Sequence, residues 1–522
     1  MEYAYLVIDF MRHRLIINCV VAFIGLLSTN THAGDTYVSQ SGAGAQNGTN
    51  AADAYPLTWL NGLTNWNTQL NGGTVHLCGV ITNQITPGSG AQGNAITILF
   101  EQNAKFSSPA GWTNGAIYTA TGKHDLIIDG GTNGIIECTA NGDALANQLS
   151  QYGILMVEPS NVIVKNLTIQ NLYVRMRGTN LVGANGIFFK WNGGGSYNGN
   201  DTVSNCVFHD MSTGWSIDYG PHCSNFSMLC CTASNVNWGG GAGDHDGTAY
   251  LNGLLVSNCY FSLFTNWDGT DTTSQATWHH NGFYAYAESG GILTNVTFIG
   301  NRVGPGYGGS SQTSGLFLSG KIWNTLVANN YFTDEDATTI ADGFIFVWLH
   351  SGTNSTTATI ANNTVIGGGN SVGINCFNEF GTSGGVTTTY STSNNIINNV
   401  STAIAVFDHT SSTLNSDDND IYLVPDSTKC SFSSTGSSVY KTWASWQGLG
   451  YDTHSITNNP SLGSTVAPAF NFQPQVGSPV IGLGGNLSAV FGTDAKGSVR
   501  SASAAWDTGA FNSFSPALIR LH

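Results

Sequence analysis

The chain has 522 residues, of which 9% are charged, with 15 Lys and Arg against 31 Asp and Glu for a formal net charge of −16. That balance excludes a protein that grips nucleic acid through phosphate contacts, and it repels an anionic polymer wherever a local cation or bound metal does not reverse the sign. Gly occupies 66 positions, and Ser, Thr and Asn are abundant, as expected where turns outnumber helices.

At the N-terminus, Arg12-His13-Arg14, the apolar run Leu15 to Leu27 and Thr31-His32-Ala33 form the basic, apolar and small-residue parts of a secretory signal. Cleavage is expected after Ala33, so residues 1–33 are assigned to the signal, with Met11 as an alternative start. The apolar run of 13 residues is too short for a membrane anchor, and no later segment is long enough to span a bilayer. The mature chain is therefore expected to be secreted or periplasmic. Residues 34–80 read as a cap, in which Leu57, Leu60, Leu63, Trp66 and Leu70 fall at helical spacing and predict a helix over 57–70.

Between residues 153 and 424 a strand-turn-strand phrase recurs. Each copy opens on a short apolar run, often after Gly, as in Asn185-Gly186-Ile187-Phe188-Phe189, Asp246-Gly247-Thr248, Asn281-Gly282-Phe283-Tyr284 and Ser314-Gly315-Leu316. A second run ends in an Asn-centred bend. Asn205, Cys230, Asn258, Asn295, Asn329, Asn362 and Asn394 occupy that bend at steps of 25 to 37 residues, a period that means a solenoid. The runs are too short and too β-branched for paired helices, so stacked parallel strands are expected, with equivalent positions forming ladders along the axis. Asn suits the bend because it tolerates left-handed backbone angles and can bond the same amide one coil away.

These repeats, with Asn71-Gly72-Gly73-Thr74-Val75-His76-Leu77 and Leu126-Ile127-Ile128-Asp129-Gly130-Gly131 before them and Trp506-Asp507-Thr508-Gly509-Ala510-Phe511 near the end, resemble the pectate-lyase-like superfamily. The resemblance implies an all-β fold, a single-stranded right-handed parallel β-helix over 81–425. It also implies an N-terminal cap, a C-terminal segment over 426–522 that covers the last coils, and a monomer. The family's Lys, Arg and multi-Asp lyase motifs are absent, as are the Asp-pair and Gly-His-Gly motifs of polygalacturonases.

With Cys19 lost in the signal, nine of the 10 cysteines remain, so not all can pair internally. Cys206, Cys231 and Cys259 fall in one repeat column with Leu167 and Val296. That apolar company predicts a buried stack rather than a metal site, although adjacent coils also lie within the reach of a disulfide.

Long insertions between the bend strand and the next opening, among them Val236 to Asp246, Thr265 to Asn281 and Val303 to Ser314, are expected to wall a groove on one outward sheet. Aligning openings sets Asp244 beside His279, His245 beside His280, and Asp246 beside Asn281. Alternation then points Phe188, Ser216, Ala249, Tyr284 and Phe317 outward, with Lys190, Asp218, Tyr286 and Ser319. Three chemistries suit this cluster. His245, His280, Tyr284 or Lys190 fit the base and acid of a β-elimination beside a uronate carboxyl. Two of Asp218, Asp244, Asp246, Asp268 and Asp271 fit a hydrolase. Asp244, Asp246 and His279 fit a divalent metal such as calcium, the one cofactor considered. Asp246 equally suits a turn cap, and Lys190 with Asp218 a surface ion pair. Trp267, Trp278, Tyr286 and Phe317 are candidates for stacking on sugar, and Arg175 and Arg177 for holding a carboxylate. The expected partner is an extracellular polysaccharide, cleaved by a lyase, by a hydrolase, or bound by a surface adhesin on the same scaffold.

Overall fold

The computed structural model describes residues 34–177, 182–193, 199–268, 280–308, 314–334, 342–349, 355–377, 387–407, 412–433, 438–465 and 470–513. The expected signal segment, Asp271, Trp278 and His279 lie outside them. The chain is a parallel β-helix. One sheet system of 34 strands links nearly every strand to its equivalents one coil away, and each coil has three faces. Asn281–Ala287, Ile292–Ile299 and Arg302–Val303 make one coil, and they pair respectively with Ser314–Gly320, Ile322–Ala328 and Tyr331–Thr333 of the next.

The core fills from alternate positions of these strands. Ile187, Trp215, Phe283, Leu316 and Ile345 follow one inward ladder through Gly240, and all five side chains are buried. The bend column holds left-handed backbone at Asn166, Asn205, Cys230, Asn258, Asn329, Asn362 and Asn394. Amides bond along part of it, with Asn205 Nδ2 donating to Asn166 Oδ1 at 3.2 Å and Asn394 Nδ2 to Asn362 Oδ1 at 3.1 Å. Asn295 does not belong there. Gly300, at φ 71°, takes that place, and Asn295 sits in a second left-handed column with Asn161, Asn200, Asn225, Gly253 and Asn324.

One position past the first column runs a buried polar ladder. Cys206, Cys231 and Cys259 stack beside Leu167, and the next member is Asn301, not Val296. All three thiols are free and buried, and burial pushes those of Cys206 and Cys231 well above the ordinary range, so no disulfide joins these coils. Asn301, Asn330, Asn363, Asn395 and Asn419 continue the column, each side-chain amide donating to the next at 3.0–3.1 Å and the last to Asp452 at 2.8 Å.

One departure marks the N-terminal end. The expected helix is two, Leu57–Asn61 and Trp66–Leu70, separated by Gly62 and by Asn65, whose side chain caps the second by accepting from Thr68 N at 3.0 Å. Leu57, Leu60, Trp66 and Leu70 still join the main core. At the other end the parallel ladder stops where Cys430–Ser433 pairs antiparallel with Ser438–Lys441, followed by Trp443–Gln447 and its buried Trp446. The chain then returns along the bend column. Asn329 Nδ2 donates to Thr493 O at 2.6 Å, Asn362 Nδ2 to Asp507 O at 3.0 Å and Asn394 Nδ2 to Gly485 O at 2.8 Å, while Thr508 Oγ1 donates to Asp418 O at 3.1 Å. Arg500 locks this segment through Asn329 Oδ1, Asn512 Oδ1 and the carbonyls of Asp507 and Gly509.

Asp420, next to the last ladder Asn, is fully buried, no side chain among the described residues bonds its carboxyl oxygens, and burial pushes its pKa up to about 8 against a weaker pull from the Asn458 backbone. The fold thus holds this group protonated where the unfolded chain ionises it, so its contribution is complete below about pH 4 and is lost as pH rises toward about 8. Asp420→Asn is expected to raise the melting temperature near pH 8 and to change it little near pH 4; melting curves at the two pH values check this, and an equal shift at both would contradict it.

Candidate active site

The outward face follows from register. Phe188, Ser216, Gly241, Tyr284, Phe317 and Phe346 form one ladder, and Lys190, Asp218, Gly243, Tyr286, Ser319 and Trp348 the next. Ala249, expected outward, is instead buried in the core, and its expected place belongs to Gly241. The cause is the segment expected to be a loop. Val236 to Asp244 continues the strand Thr232–Asp244, and Trp238 pairs with Asn281. Asp244 therefore lies one coil from Ala287, past the last paired position, and neither His245 beside His280 nor Asp246 beside Asn281 stands, while the expected neighbour His279 lies outside the described residues.

The glycines of this strand make room. A methyl group at Gly241 would overlap the Tyr284 ring, and one at Gly243 the ring and hydroxyl of Tyr286. The two tyrosines thus lie back across the previous coil, stacked on each other at 5.7 Å, with Tyr284 edge-on to Trp238 at 5.2 Å. Gly243 is the ladder partner of Asp218, which brings the Tyr286 hydroxyl over that position. Burial raises the phenol pKa of both tyrosines, and the carboxylates of Asp244 and Asp218 add to it at Tyr286.

Asp218 and His245 form a pair across the edge of this face, with His245 Nδ1 3.1 Å from Asp218 Oδ2. Burial raises the Asp218 pKa, and His245 and Lys190 pull it back. The His245 ring is 42% exposed and lies 5.0 Å from the Trp191 ring, a neighbour that sequence periodicity did not single out. Lys190 occupies the position beside Asp218 one coil back, while the hydrogen bond of Asp218 closes on His245.

The other expected site residues sit elsewhere. His280 is fully buried, with Nδ1 2.6 Å from Asn237 Oδ1 and Nε2 2.8 Å from Asp268 Oδ1, and burial holds it below the ordinary imidazole range. Asp268 also pairs with Arg177 at 3.1 Å. Trp267 is buried beneath Arg175, whose guanidinium lies 5.3 Å from its ring, so neither reaches the outward face as a sugar or carboxylate contact. Asp246 holds its own turn, accepting from Thr248 N at 2.8 Å and Thr248 Oγ1 at 2.6 Å, which lowers its pKa. Asp244 is 5% exposed, and its oxygens accept from Glu288 N at 3.2 Å and Gly291 N at 2.9 Å. Asp244 and Asp246 are thus spent on backbone and turn, not gathered for a cation. Among the described residues, ligand atoms close enough for a metal occur at Asp417, Asp418 and His454, far along the chain from this face.

No protein-family model matches the chain, and no curated protein matches it by sequence. Among solved structures it is similar to pectate lyase Pel9A, at 14% identity and TM-score 0.44 over 93% of this chain and 98% of that one. An exopolygalacturonase from Thermotoga maritima is similar at 11% identity and TM-score 0.34, covering 72% and 88%. PfbA, a surface adhesin of Streptococcus pneumoniae, is similar at 10% identity and TM-score 0.33, covering 67% and 85%. These likenesses assign no role to any residue here. Among the described residues no helix is long and apolar enough to cross a membrane.

Proposed function

We propose that this chain is an exported polysaccharide lyase, cleaving an extracellular uronate-containing glycan by β-elimination on the outward face. The observation that carries the reading is the seating of Tyr286 over Gly243 beside the Asp218–His245 pair. With Asp218 accepting from Nδ1, the imidazole keeps the lone pair of Nε2 for a proton α to the uronate carboxyl. The Tyr286 hydroxyl supplies the acid for the leaving oxygen, and Lys190 supplies the local cation that a chain of net charge −16 needs to hold an acidic glycan. Hydrolysis requires two carboxyl groups free to face one bond. Asp244, a carboxylate whose charge acts on Asp218, has both oxygens on backbone amides, which favours elimination.

The test is a polysaccharide panel read for both ultraviolet-absorbing unsaturated ends and reducing ends. Both together support the lyase; reducing ends alone indicate a hydrolase, and binding without either indicates an adhesin. Gly243→Ala forces the Tyr286 ring to move and is expected to lower turnover about 10²-fold, the scale of a misplacement near 1 Å. Gly247→Ala, whose added methyl meets only Ser289 O at 3.5 Å, is the control and should leave turnover intact.

A further inference from the structure

On a different side of the molecule, the returning C-terminal segment and the bend strands enclose a cleft of about 340 Å³, a size that suits a monosaccharide. Arg302 stands in it, its guanidinium 4.5 Å from the Tyr260 ring and 4.9 Å from that of Phe470. Stacking uses the faces of a planar guanidinium and leaves its in-plane N–H donors for an acceptor. Arg302 Nε is buried and has no hydrogen-bond partner among the described residues. Lys496 lines the same cleft, donating to Gln473 Oε1 at 3.1 Å, and none of the lining residues is acidic.

This pair of cations shares one cleft in a protein that is acidic overall. Acidic residues outnumber Lys and Arg by 31 to 15, and Lys105, Lys165 and Arg177 each meet a carboxylate. Arg500, a few residues from Lys496, spends both terminal nitrogens on backbone carbonyls and side-chain amide oxygens. Among the described residues no carboxylate lies within ion-pair reach of Arg302 or Lys496. A positive cleft walled by aromatic rings matches an anion with an apolar body.

We infer that this cleft binds a small acidic sugar through its carboxylate, apart from the outward face. A planar carboxylate matches the in-plane N–H donors of the one stacked guanidinium, with a lysine beside it. That the anion is a sugar rests on the polysaccharide reading above; that it is a carboxylate rests on Arg302 and Lys496. Calorimetry on the full chain carrying Lys190→Gln separates the two sites, with D-galacturonate, D-galactose and galactose 6-phosphate as probes. Galacturonate is expected to bind, D-galactose not measurably, and Arg302→Gln or Lys496→Gln to weaken binding at least tenfold. Lys496 is exposed, so its variant reports on the cleft even where Arg302→Gln fails to fold. Absence of galacturonate binding, equal binding of D-galactose, tighter binding of the phosphate, or unchanged affinity in the folded variants would each overturn the inference. None of these outcomes touches the turnover assay.

Discussion

His245→Ala is expected to lower turnover by ~10²–10⁴-fold, the usual cost of removing a general base, with little change in melting temperature. The imidazole is exposed, its one carboxylate partner is Asp218, and its loss opens no cavity. His280→Ala should behave in the opposite way. That ring is fully buried, and its removal leaves Asn237 Oδ1 and Asp268 without it, so the variant is expected to melt earlier while a folded fraction keeps its turnover. Rates normalised to folded protein, with melting curves, decide the matter. Full turnover in His245→Ala would move the site to other residues of the same face.

The largest stability effect is expected at the centre of the buried Asn ladder. Asn363 Oδ1 accepts from both the backbone and side-chain amides of Asn330 at 3.0 Å, and its own amide donates to Val327 O at 2.9 Å and Asn395 Oδ1 at 3.0 Å. Asn363→Leu keeps the volume and strands these groups away from water. The expected cost is about 3–5 kcal/mol, from several unsatisfied buried groups at about 1–3 each and non-additive. Asn295→Gly is the contrast. Asn295 lies exposed in the outer column, and glycine keeps its left-handed backbone, so removing its amide should cost under about 1 kcal/mol. Denaturant titration separates the two; equal costs would mean that burial of the ladder is not what makes it matter.

The solenoid was legible because the bend demands a residue that accepts φ near 55°, and Asn answers that demand repeatedly in the sequence. The same chemistry misled at one coil. Each coil can make two left-handed bends, so Asn295 belongs to a different column from Asn258, although nothing in their neighbouring residues separates them. The site was legible only in part. Lys190, Asp218, Tyr284 and Tyr286 fell on the outward face as alternation requires. Asp244 and His245 were placed one strand too early, because Trp238-Gly239-Gly240-Gly241-Ala242-Gly243 has almost no side chains and so no period to read. Its strand character comes from the next coil, where Phe283, Tyr284 and Tyr286 fill the space its glycines leave.

A solenoid coil touches only its neighbours, so such a fold can fray from an end, one coil at a time. The returning C-terminal segment changes that. It bonds to Asn329, Asn362, Asn394 and Asp418, residues of four different coils, within one stretch of chain. No coil in that run can open without loosening the strap that holds the others, so their unfolding is coupled into one cooperative event. The strap converts a linear array into a unit that resists nibbling from its C-terminal end.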